Sequence, residues 1–408
     1  MSAQPHCLII GGSHAGAQTA ASLRQEGYSG AITLISNEPL LPYHRPPLSK
    51  GFLCGGKSDE ELLIRPAAFY EKQSIQVRLS TTVTAVDPDQ HVVHLDNGEQ
   101  IQWTDLVLAT GAQVRRLTVP GSDLPGVCYL RSRDDVLAIR QRLHDDARIV
   151  IIGGGYIGLE TAAALRTSGH HVTVLEAQSR VLQRVTAEAI SQFYTRVHRE
   201  EGVVIELGAQ LAAITGEDAV NGVVLADGRH LPADLVIAGI GVVPCTDLAQ
   251  AMGLTVNDGI IVDAHGRTSH PDIHAAGDCT RHHHALYDRS LRLESVQNAS
   301  DQARAVAQSI CGKPQPYQAL PWFWSDQYDL KLQIAGLSAG YDRVVVRGRT
   351  DEGRGFSAFY FQGERLLAID AINRPKDFII GKRLLSEGRR ADPVRLADPD
   401  NELSSCFD

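Results

Sequence analysis

The sequence predicts an α/β fold that contains two separate sheets of parallel strands. A unit of buried strand, glycine-rich turn, helix and second strand occurs twice, beginning at Cys7 and again at Ile149. The chain has 408 residues, which at roughly 150 residues per domain is enough for two or three domains. Because a strand, a crossover helix and a second strand form one parallel unit, two copies predict two parallel sheets.

Each copy shows the local patterns of its elements in the same order. The first predicts a buried strand over 7–10, a helix over 17–26 and a return strand over 31–35. The second predicts a strand over 149–152, a helix rich in alanine and leucine, and a return strand that ends at Glu176. This context of strand, turn and helix is the one that a dinucleotide-binding fingerprint requires.

The second turn carries the complete glycine fingerprint, with Gly153, Gly155 and Gly158. The first glycine permits a tight turn, the second lets the backbone approach a pyrophosphate, and the third lets helix and strand pack closely. The amino terminus of the helix then faces the anion. Glu176 stands where an acid accepts hydrogen bonds from a ribose and disfavours a 2′-phosphate, which predicts NADH rather than NADPH.

The first turn carries Gly11 and Gly16, with Ser13 in place of the middle glycine. The ribose position at the end of its second strand falls on either Asn37 or Glu38. Two dinucleotide sites in one chain predict two different dinucleotides, and the usual chemical reason is hydride passage from a nicotinamide to a flavin. We therefore expect a flavoprotein that binds FAD and NADH.

Three further apolar strands end in small residues, where a backbone can pass close to a cofactor. These strand ends lie within residues 106–112, within residues 235–244, and immediately before Asp278. Asp278 can accept a hydrogen bond from a ribityl hydroxyl or cap a helix that follows it, and the two roles are compatible.

Composition argues against several classes of protein. Hydrophobic residues make up 43% of the chain and charged residues 21%, as in ordinary globular domains. The formal net charge of −9 argues against a nucleic-acid partner. No apolar run approaches the roughly 20 residues that cross a bilayer. The first residues show no signal-peptide pattern, so a cytoplasmic location is expected.

The seven cysteines are scattered and form no CxxC pair, which favours a reducing compartment and argues against a structural metal site. The run of His282, His283 and His284 invites a metal interpretation. Adjacent histidines of an extended segment point in different directions, however, and no acid or cysteine stands at ligand spacing beside them. We expect a surface loop there and no bound metal.

Several segments occur in an order and spacing that resemble a known enzyme family. They are PYHRPPLSK, LVLATGA, GGGYIGLE, AGIGVVP, AAGDC, ESVQNA and PWFWSDQY. On these segments the chain resembles the FAD-dependent NADH:ferredoxin reductases of bacterial oxygenase systems. The resemblance implies a glutathione-reductase-like flavoprotein with two Rossmann-like dinucleotide-binding domains and an α+β carboxy-terminal domain.

The resemblance also implies where the domains and the cofactor contacts lie. Residues 1–112 and 245–320 would form the FAD domain, residues 113–244 the NADH domain, and residues 321–408 a domain that covers the flavin and presents the partner surface. The cofactor contacts implied by position are Gly11, Ser13, Ala15, Gly16, Asn37 or Glu38, Arg45, Lys50, Val83, Ala109, Thr110, Gly111, Arg131, Gly153, Gly155, Ile157, Gly158, Glu176, Gly241, Asp278, Val296 and Trp324.

Lys50 and Glu160 are the expected catalytic pair. A cation near the flavin N5 and O4 stabilises the anionic reduced flavin, and an acid beside it can hold that cation and meet the nicotinamide carboxamide. Lys50 is assigned by the PPLSK part of the resemblance. Glu160 stands two residues after the last glycine of the second turn, in what we expect to be the first turn of the helix.

Related two-dinucleotide flavoproteins pass electrons to a cysteine pair or to a single cysteine, at a position where this chain has Pro42 and Tyr43. Cys54 lies in the same region but has no partner cysteine, and its nearest basic residues are Lys50 and Lys57. A disulfide, peroxide or coenzyme A disulfide reductase is therefore not expected.

Electrons would instead leave to a protein acceptor. Residues 321–395 contain 13 Lys and Arg against 10 Asp and Glu, in a chain of net charge −9. This local excess suits an acidic two-iron ferredoxin. The candidate contacts are Lys331, Arg343, Arg347, Arg374, Lys376, Lys382 and Arg383. Trp322 and Trp324 either shield the flavin edge or pack a domain junction.

The expected reaction is hydride transfer from NADH to FAD, followed by release of single electrons to a ferredoxin that serves an oxygenase, with a cytochrome monooxygenase favoured. A rubredoxin reductase and an NADH oxidase are the alternatives among enzymes, and the preferred electron acceptor distinguishes them. A flavoprotein sensor whose oligomeric state responds to NADH is the alternative from another class.

Overall fold

The computed structural model describes residues 4–407, and the chain divides into two compact units. The first unit comprises Met1–His44, Ser58–Gln113 and Val242–Ala319. The second comprises Arg45–Lys57, Val114–Gly241 and Leu320–Asp408. The short segment that contains Lys50 therefore groups with the second unit. The finer division into three domains stays a prediction.

The first unit is built on a sheet of five parallel strands. In spatial order they are Ile273–Ala275, Asp105–Leu108, His6–Ile10, Ala31–Ile35 and Ile75–Arg78. Cys7, Leu8 and Ile9 of the central strand are fully buried, as expected for a parallel sheet that is covered on both faces. The strands predicted over 7–10 and 31–35 are confirmed.

The helices of the first unit are His14–Gln25, Asp59–Leu62, Ala67–Lys72, Asp247–Ala251 and Val296–Ile310. The first of them starts earlier than the predicted range of 17–26. The prediction began late because Gly16 disfavours a helix interior by its intrinsic propensity. Gly16 is nevertheless required in the first turn, since a Cβ there would lie 1.9 Å from the Gly11 carbonyl oxygen.

Smaller β structures complete the first unit. One antiparallel sheet contains Val83–Asp87, Val92–Leu95 and Gln100–Gln102. A second sheet contains Ile260–Val262, Thr280–His284 and Arg289–Leu291. The strand Ala112–Val114, which ends one residue beyond the bounds of the first unit, pairs with Val242–Pro244.

The histidine run lies in the strand Thr280–His284, so the predicted surface loop was wrong. Because side chains of a strand alternate between its faces, His282 and His284 are buried while His283 is exposed. Burial lowers the pKa of His282 to about 4. The prediction treated all three side chains as solvated, whereas the His282 ring packs 5.2 Å from the ring of Tyr317.

The second unit contains another sheet of five parallel strands. In spatial order they are Val204–Leu207, His171–Glu176, Arg148–Ile152, Leu235–Ala238 and Val127–Tyr129. Its associated helices are Arg133–Arg142, Tyr156–Thr167 and Glu188–Glu200, and a small antiparallel sheet contains Leu211–Thr215, Gly222–Leu225 and His230–Pro232. The second predicted parallel sheet is confirmed. Pro46–Ser49 is a single 3₁₀ turn.

The carboxy-terminal part of the second unit is an antiparallel sheet with helices after it, which confirms the α+β expectation. Its strands are, in spatial order, Trp322–Gln327, Leu330–Gly336, Arg365–Ile372, Phe356–Gln362 and Arg343–Gly348. The helices Pro375–Ser386 and Pro393–Ala397 follow, and the 3₁₀ turn Leu403–Cys406 is last. Phe359, Ile369, Phe378, Leu384 and Phe407 share one core.

Within residues 4–407, every helix is too short or too polar to cross a membrane.

Candidate functional site

The first glycine turn connects the central strand of the first unit to the helix His14–Gln25. Gly11 has a φ of +121°, and a Cβ there would lie 2.0 Å from the carbonyl oxygen of Ala109. Only glycine fits such a position. The Ala109 N–H donates to the Ile10 carbonyl (2.8 Å). The turn thus brings two chain segments into close contact at the carboxyl edge of the sheet.

The helix after this turn begins without a side-chain cap. Ser13 is its N-cap residue, and the Ser13 side chain accepts no capping hydrogen bond. Ser132 and Ser295, by contrast, each cap their own helix with the hydroxyl oxygen. The first N–H groups of a helix lack intrahelical acceptors and form a ready site for phosphate. The turn therefore fits the pyrophosphate of FAD.

The residue before the predicted contact Asp278 lies against the same helix. A Cβ on Gly277 would lie 3.0 Å from Ala15 Cβ, so the segment after the outer strand touches the first turn of the helix. The element that follows Asp278 is the strand Thr280–His284. The alternative interpretation of Asp278 as a helix cap was therefore wrong.

The two candidates for the ribose contact differ in their surroundings. Asn37 is exposed, whereas Glu38 is half-buried. The Tyr43 hydroxyl donates to Glu38 Oε2, and Tyr43 is itself only 2% exposed. Glu38 is thus the candidate whose carboxylate is held in place.

The remaining predicted contacts of the first unit lie on strand ends and at a helix start. The Thr110 hydroxyl donates to the Cys245 carbonyl (2.7 Å), and Gly111 accepts from the Cys245 N–H (2.9 Å). Val83 opens a strand and is 9% exposed, and Val296 is the first residue of the longest helix of this unit.

The second glycine turn is closed by the acid that the sequence placed after it. Gly153 has a φ of +108°, and a Cβ there would lie 2.4 Å from the Gly239 carbonyl oxygen. Glu176 Oε2 accepts from the Gly154 N–H (2.7 Å), and Glu176 Oε1 accepts from the Gln178 N–H (2.8 Å). Each carboxylate oxygen keeps further acceptor capacity. The carboxylate is therefore oriented and can still accept a hydroxyl donor.

The helix that follows this turn also begins without a side-chain cap, at Gly155. Gly158 packs closely, because a Cβ there would lie 2.1 Å from a carbonyl oxygen of the turn. Ile157 is 45% exposed.

Arg184 was missed by the sequence analysis, and its Nη2 lies 4.0 Å from the Cβ position of Gly241. The only sequence signal for Arg184 is a cation a few residues after Glu176.

Lys50 and Glu160 form an ion pair, with Lys50 Nζ 2.6 Å from Glu160 Oε2. Lys50 Nζ also donates to the Pro46 carbonyl (3.2 Å). The two side chains are 21% and 2% exposed, respectively. Glu160 lies in the second turn of the helix Tyr156–Thr167. The expected first-turn position was wrong because the helix begins before Gly158.

Further polar side chains contact Glu160 and were missed by the sequence analysis. The Ser49 hydroxyl donates to Glu160 Oε2 (2.6 Å), and the Ser325 hydroxyl donates to Glu160 Oε1 (2.7 Å). Gln327 Nε2 donates to the Ser325 hydroxyl oxygen, and His198 Nε2 lies within hydrogen-bond distance of Gln327 Oε1. The available signal was the alternation of Ser325 and Gln327 in an aromatic strand, which places both on one face.

The structure also brings Arg45 and Arg131 together, since Arg45 Nη1 donates to the Arg131 carbonyl (2.7 Å). Trp324 is half-buried, and its ring lies 5.4 Å from that of Trp322. Both pairs belong to the second unit.

Comparison with known families places these turns in context. Residues 5–303 match the family described as pyridine nucleotide-disulphide oxidoreductase. The chain belongs to this family. Within the pyridine nucleotide-disulphide oxidoreductases, its carboxy-terminal residues 322–407 also match the model described as reductase C-terminal. Members of this family that reduce ferredoxins use FAD and NAD(H), in agreement with the two glycine turns.

Individual relatives within this pyridine nucleotide-disulphide oxidoreductase family are similar over nearly the whole chain. A ferredoxin--NAD(P)(+) reductase of Sphingomonas sp. is 45% identical over 98% of this chain and 96% of its own. Putidaredoxin reductase CamA of Pseudomonas putida is 45% identical over 100% of this chain and 98% of its own. The crystal structure of a covalent putidaredoxin reductase–putidaredoxin complex has a TM-score of 0.95 at 44% identity, covering 98% of each chain.

Proposed function

We propose that this chain is an FAD-dependent NADH:ferredoxin reductase that delivers electrons to a two-iron ferredoxin of an oxygenase system. The observation that carries the proposal is the full-length similarity, at 45% identity, to a ferredoxin reductase and to putidaredoxin reductase. The similarity includes residues 322–407. It therefore extends beyond the dinucleotide-binding folds that many flavoproteins share.

FAD, when bound, accepts a hydride and releases electrons singly, which connects a two-electron donor to a one-electron acceptor. In the first unit, Gly11 and the uncapped start of the helix at Ser13 would hold its pyrophosphate. Glu38 is the better ribose candidate, because Tyr43 holds its carboxylate while Asn37 is exposed.

The second glycine turn would hold the pyrophosphate of NADH. Gly154 and Gln178 orient the Glu176 carboxylate by their N–H groups. A ribose 2′-hydroxyl can donate to this carboxylate, whereas the 2′-phosphate of NADPH would meet its negative charge. Glu176 thereby favours NADH.

The Lys50 ammonium is the proposed cation for the reduced flavin. Glu160 and the Pro46 carbonyl hold this ammonium in place. A positioned cation stabilises the negative charge that develops when the flavin accepts a hydride. A held ammonium needs no reorganisation at that moment, which is the reason for pairing it with a buried acid.

The ferredoxin contact is proposed at one end of the antiparallel sheet. Lys331, Arg374 and Lys376 are exposed there, and Lys331 is tied to this end by the bond from the Asn373 N–H to its carbonyl (3.0 Å). The helix Pro375–Ser386 adds two further cations. These are Lys382, whose Nζ lies 5.1 Å from the Trp322 ring centre, and Arg383.

Two predicted contacts lie elsewhere. Arg343 pairs with Phe361 at the opposite end of the sheet and donates to the Gly363 carbonyl (3.0 Å). Arg347 is only 8% exposed, and its guanidinium donates to backbone carbonyls of the carboxy-terminal tail. The expectation of Arg347 as a surface contact was therefore wrong.

NADH oxidation by the full-length FAD-loaded protein tests the proposed function, with cytochrome c as terminal acceptor and a catalytic amount of two-iron ferredoxin. We expect ferredoxin to stimulate cytochrome c reduction strongly, and we expect this stimulation to be lost when rubredoxin replaces ferredoxin or NADPH replaces NADH. Equal rates with rubredoxin would indicate a rubredoxin reductase. Turnover that ignores both proteins while consuming oxygen would indicate an NADH oxidase. No turnover with any acceptor, together with an NADH-dependent change in oligomeric state, would indicate the sensor.

A further inference from the structure

A line of buried polar side chains extends from the Glu160 carboxylate within the second unit. The Ser325 hydroxyl donates to Glu160 Oε1 (2.7 Å), and Gln327 Nε2 donates to Ser325 Oγ (3.2 Å). His198 Nε2 lies 2.8 Å from Gln327 Oε1, and the Tyr328 hydroxyl lies 3.3 Å from His198 Nδ1. We call Ser325, Gln327 and His198 the Glu160 chain.

Burial makes these contacts obligatory. Glu160, Ser325, Gln327 and His198 are exposed by only 3%, 0%, 1% and 0%, respectively. A polar group so far from water costs free energy unless it has a hydrogen-bond partner. Ser325 and Gln327 stand two residues apart on one strand and therefore point to the same face. One strand thus supplies two successive members of the line.

The Glu160 chain has a direction. Burial lowers the pKa of His198 to about 4, so its imidazole is neutral at neutral pH and has one donor and one acceptor nitrogen. An amide oxygen only accepts, so His198 Nε2 carries the proton and Nδ1 accepts from Tyr328. The Gln327 amide nitrogen then faces Ser325, and the Ser325 proton is directed at Glu160.

The opposite orientation of the Gln327 amide would break this order. Its oxygen and Glu160 Oε1 would then face the one proton of the Ser325 hydroxyl, and one of these two buried acceptors would lose its donor. The Glu160 carboxylate therefore sets the order at a distance, because it only accepts and takes the Ser325 proton, which leaves Gln327 Nε2 to donate to Ser325 and Gln327 Oε1 to accept from His198 Nε2.

The other oxygen of Glu160 is held independently. Lys50 Nζ and the Ser49 hydroxyl each lie 2.6 Å from Glu160 Oε2. A carboxylate that is bound on both oxygens cannot rotate about its terminal bond without losing a contact. Fixing Oε1 through Ser325 thus also fixes where Oε2 holds the Lys50 ammonium.

We propose that the Glu160 chain positions the Lys50–Glu160 ion pair for reduction of the flavin by NADH. The proposal rests on the proposed function, because it assigns Lys50 to the flavin. Ser325, Gln327 and His198 are positioning residues, since each acts through the Glu160 carboxylate. Polar residues of the strand Trp322–Gln327 and of the helix Glu188–Glu200 thereby contribute to flavin reduction through Glu160.

Stopped-flow reduction of the full-length FAD-loaded protein by NADH, without ferredoxin, tests the role. We expect Ser325→Ala to lower the limiting rate about tenfold, the effect of one hydrogen bond to a charged group, with little change in apparent NADH affinity. Ser325→Thr keeps the hydroxyl and should recover most of the rate. Ser357→Ala is the matched control, because Ser357 is also fully buried in the same sheet and donates to the Asp377 carboxylate (2.8 Å). Its limiting rate should equal that of the wild type.

A second measurement does not depend on flavin chemistry. Long-range ¹H–¹⁵N NMR spectra of histidine-labelled protein report the His198 tautomer, which we expect to be neutral with the proton on Nε2 at neutral pH. Gln327→Leu removes the acceptor of that proton and should change the signature, whereas Ser357→Ala should not.

The two measurements separate the possible failures. A His198 with no proton on Nε2 would overturn the Glu160 chain. A wild-type rate in Ser325→Ala would overturn its positioning role. Absence of any flavin reduction by NADH in the wild type would overturn the proposed function instead. The His198 tautomer would still decide whether the hydrogen bonds of the Glu160 chain form.

Discussion

Asp370 shows how burial sets the chemistry of a single carboxyl group. It is 1% exposed and accepts a hydrogen bond from the Tyr360 hydroxyl, which in turn accepts from the Ala187 N–H (3.1 Å). Burial raises the pKa of Asp370 from 3.8 to about 7. The native protein therefore keeps a proton that the unfolded chain begins to release near pH 4. Between these values the native state binds more protons, so this group lowers the free energy of unfolding as the pH rises.

Asp370→Asn should remove this dependence. Relative to the variant, the wild type should lose at most about 4 kcal/mol of unfolding free energy between about pH 4 and about pH 7. Above about pH 7 the difference between the two proteins should change little. Urea unfolding of both proteins across this range measures the difference. Parallel stability curves for the two proteins would contradict the prediction.

Among the elements, the strand Arg343–Gly348 and the carboxy-terminal tail are joined by one side chain. The buried Arg347 guanidinium donates to the carbonyl oxygens of Leu396 (3.3 Å), Asp398 (2.6 Å), Pro399 (3.1 Å) and Asn401 (2.6 Å). A planar group with five donors suits several carbonyls at once, which an ammonium does not. The tail thus depends on a cation that sequence reasoning assigned to the surface.

Arg347→Ala should release the tail. We expect a loss of about 2–4 kcal/mol in the free energy of unfolding, because several hydrogen bonds from a charged donor disappear together. Faster proteolysis within residues 393–407 should accompany it. Arg349→Ala is the matched control, since its side chain is 63% exposed and its ion pairs face solvent. Equal losses of unfolding free energy in the two variants would contradict the role of Arg347 in holding the tail.

For the whole molecule, the distribution of charge matters more than its sum. The chain has a net charge of −9, yet residues 321–395 hold 13 basic and 10 acidic residues. Charge complementarity of this kind guides an oppositely charged partner and is weakened by salt. The exposed cations Lys331, Arg374 and Lys376 lie at one end of the antiparallel sheet, where we propose that the ferredoxin binds.

The double variant Lys331→Glu with Lys376→Glu should raise the KM for ferredoxin about tenfold at low ionic strength. The difference from the wild type should shrink as salt is added, while flavin reduction by NADH stays unchanged. Arg365→Glu provides the control, because Arg365 is exposed at the other end of the same sheet. A comparable rise in KM for Arg365→Glu would refute the placement.

Features that depend on consecutive residues were determined by the sequence alone. The strands His6–Ile10 and Arg148–Ile152, the two glycine turns and the closing acid Glu176 follow from local spacing, because backbone geometry and short-range packing act over a few residues. The start of the helix His14–Gln25 was predicted too late, because Gly16 stands in its first turn. Lys50 and Glu160 were identified by their motifs, although their assigned roles remain proposals.

Only the tertiary structure decided what those residues meet. Lys50 and Glu160 are 110 positions apart, and Ser325 lies 165 positions beyond Glu160. Lys50 and Ser325 nevertheless both donate to the Glu160 carboxylate. The burial of His282 and of Arg347 likewise depends on which elements pack over them. The sequence around a polar residue does not show whether its side chain forms hydrogen bonds with water or with a distant backbone group. Its hydrogen-bond partner, and with it its protonation state and role, is therefore set by the folded chain.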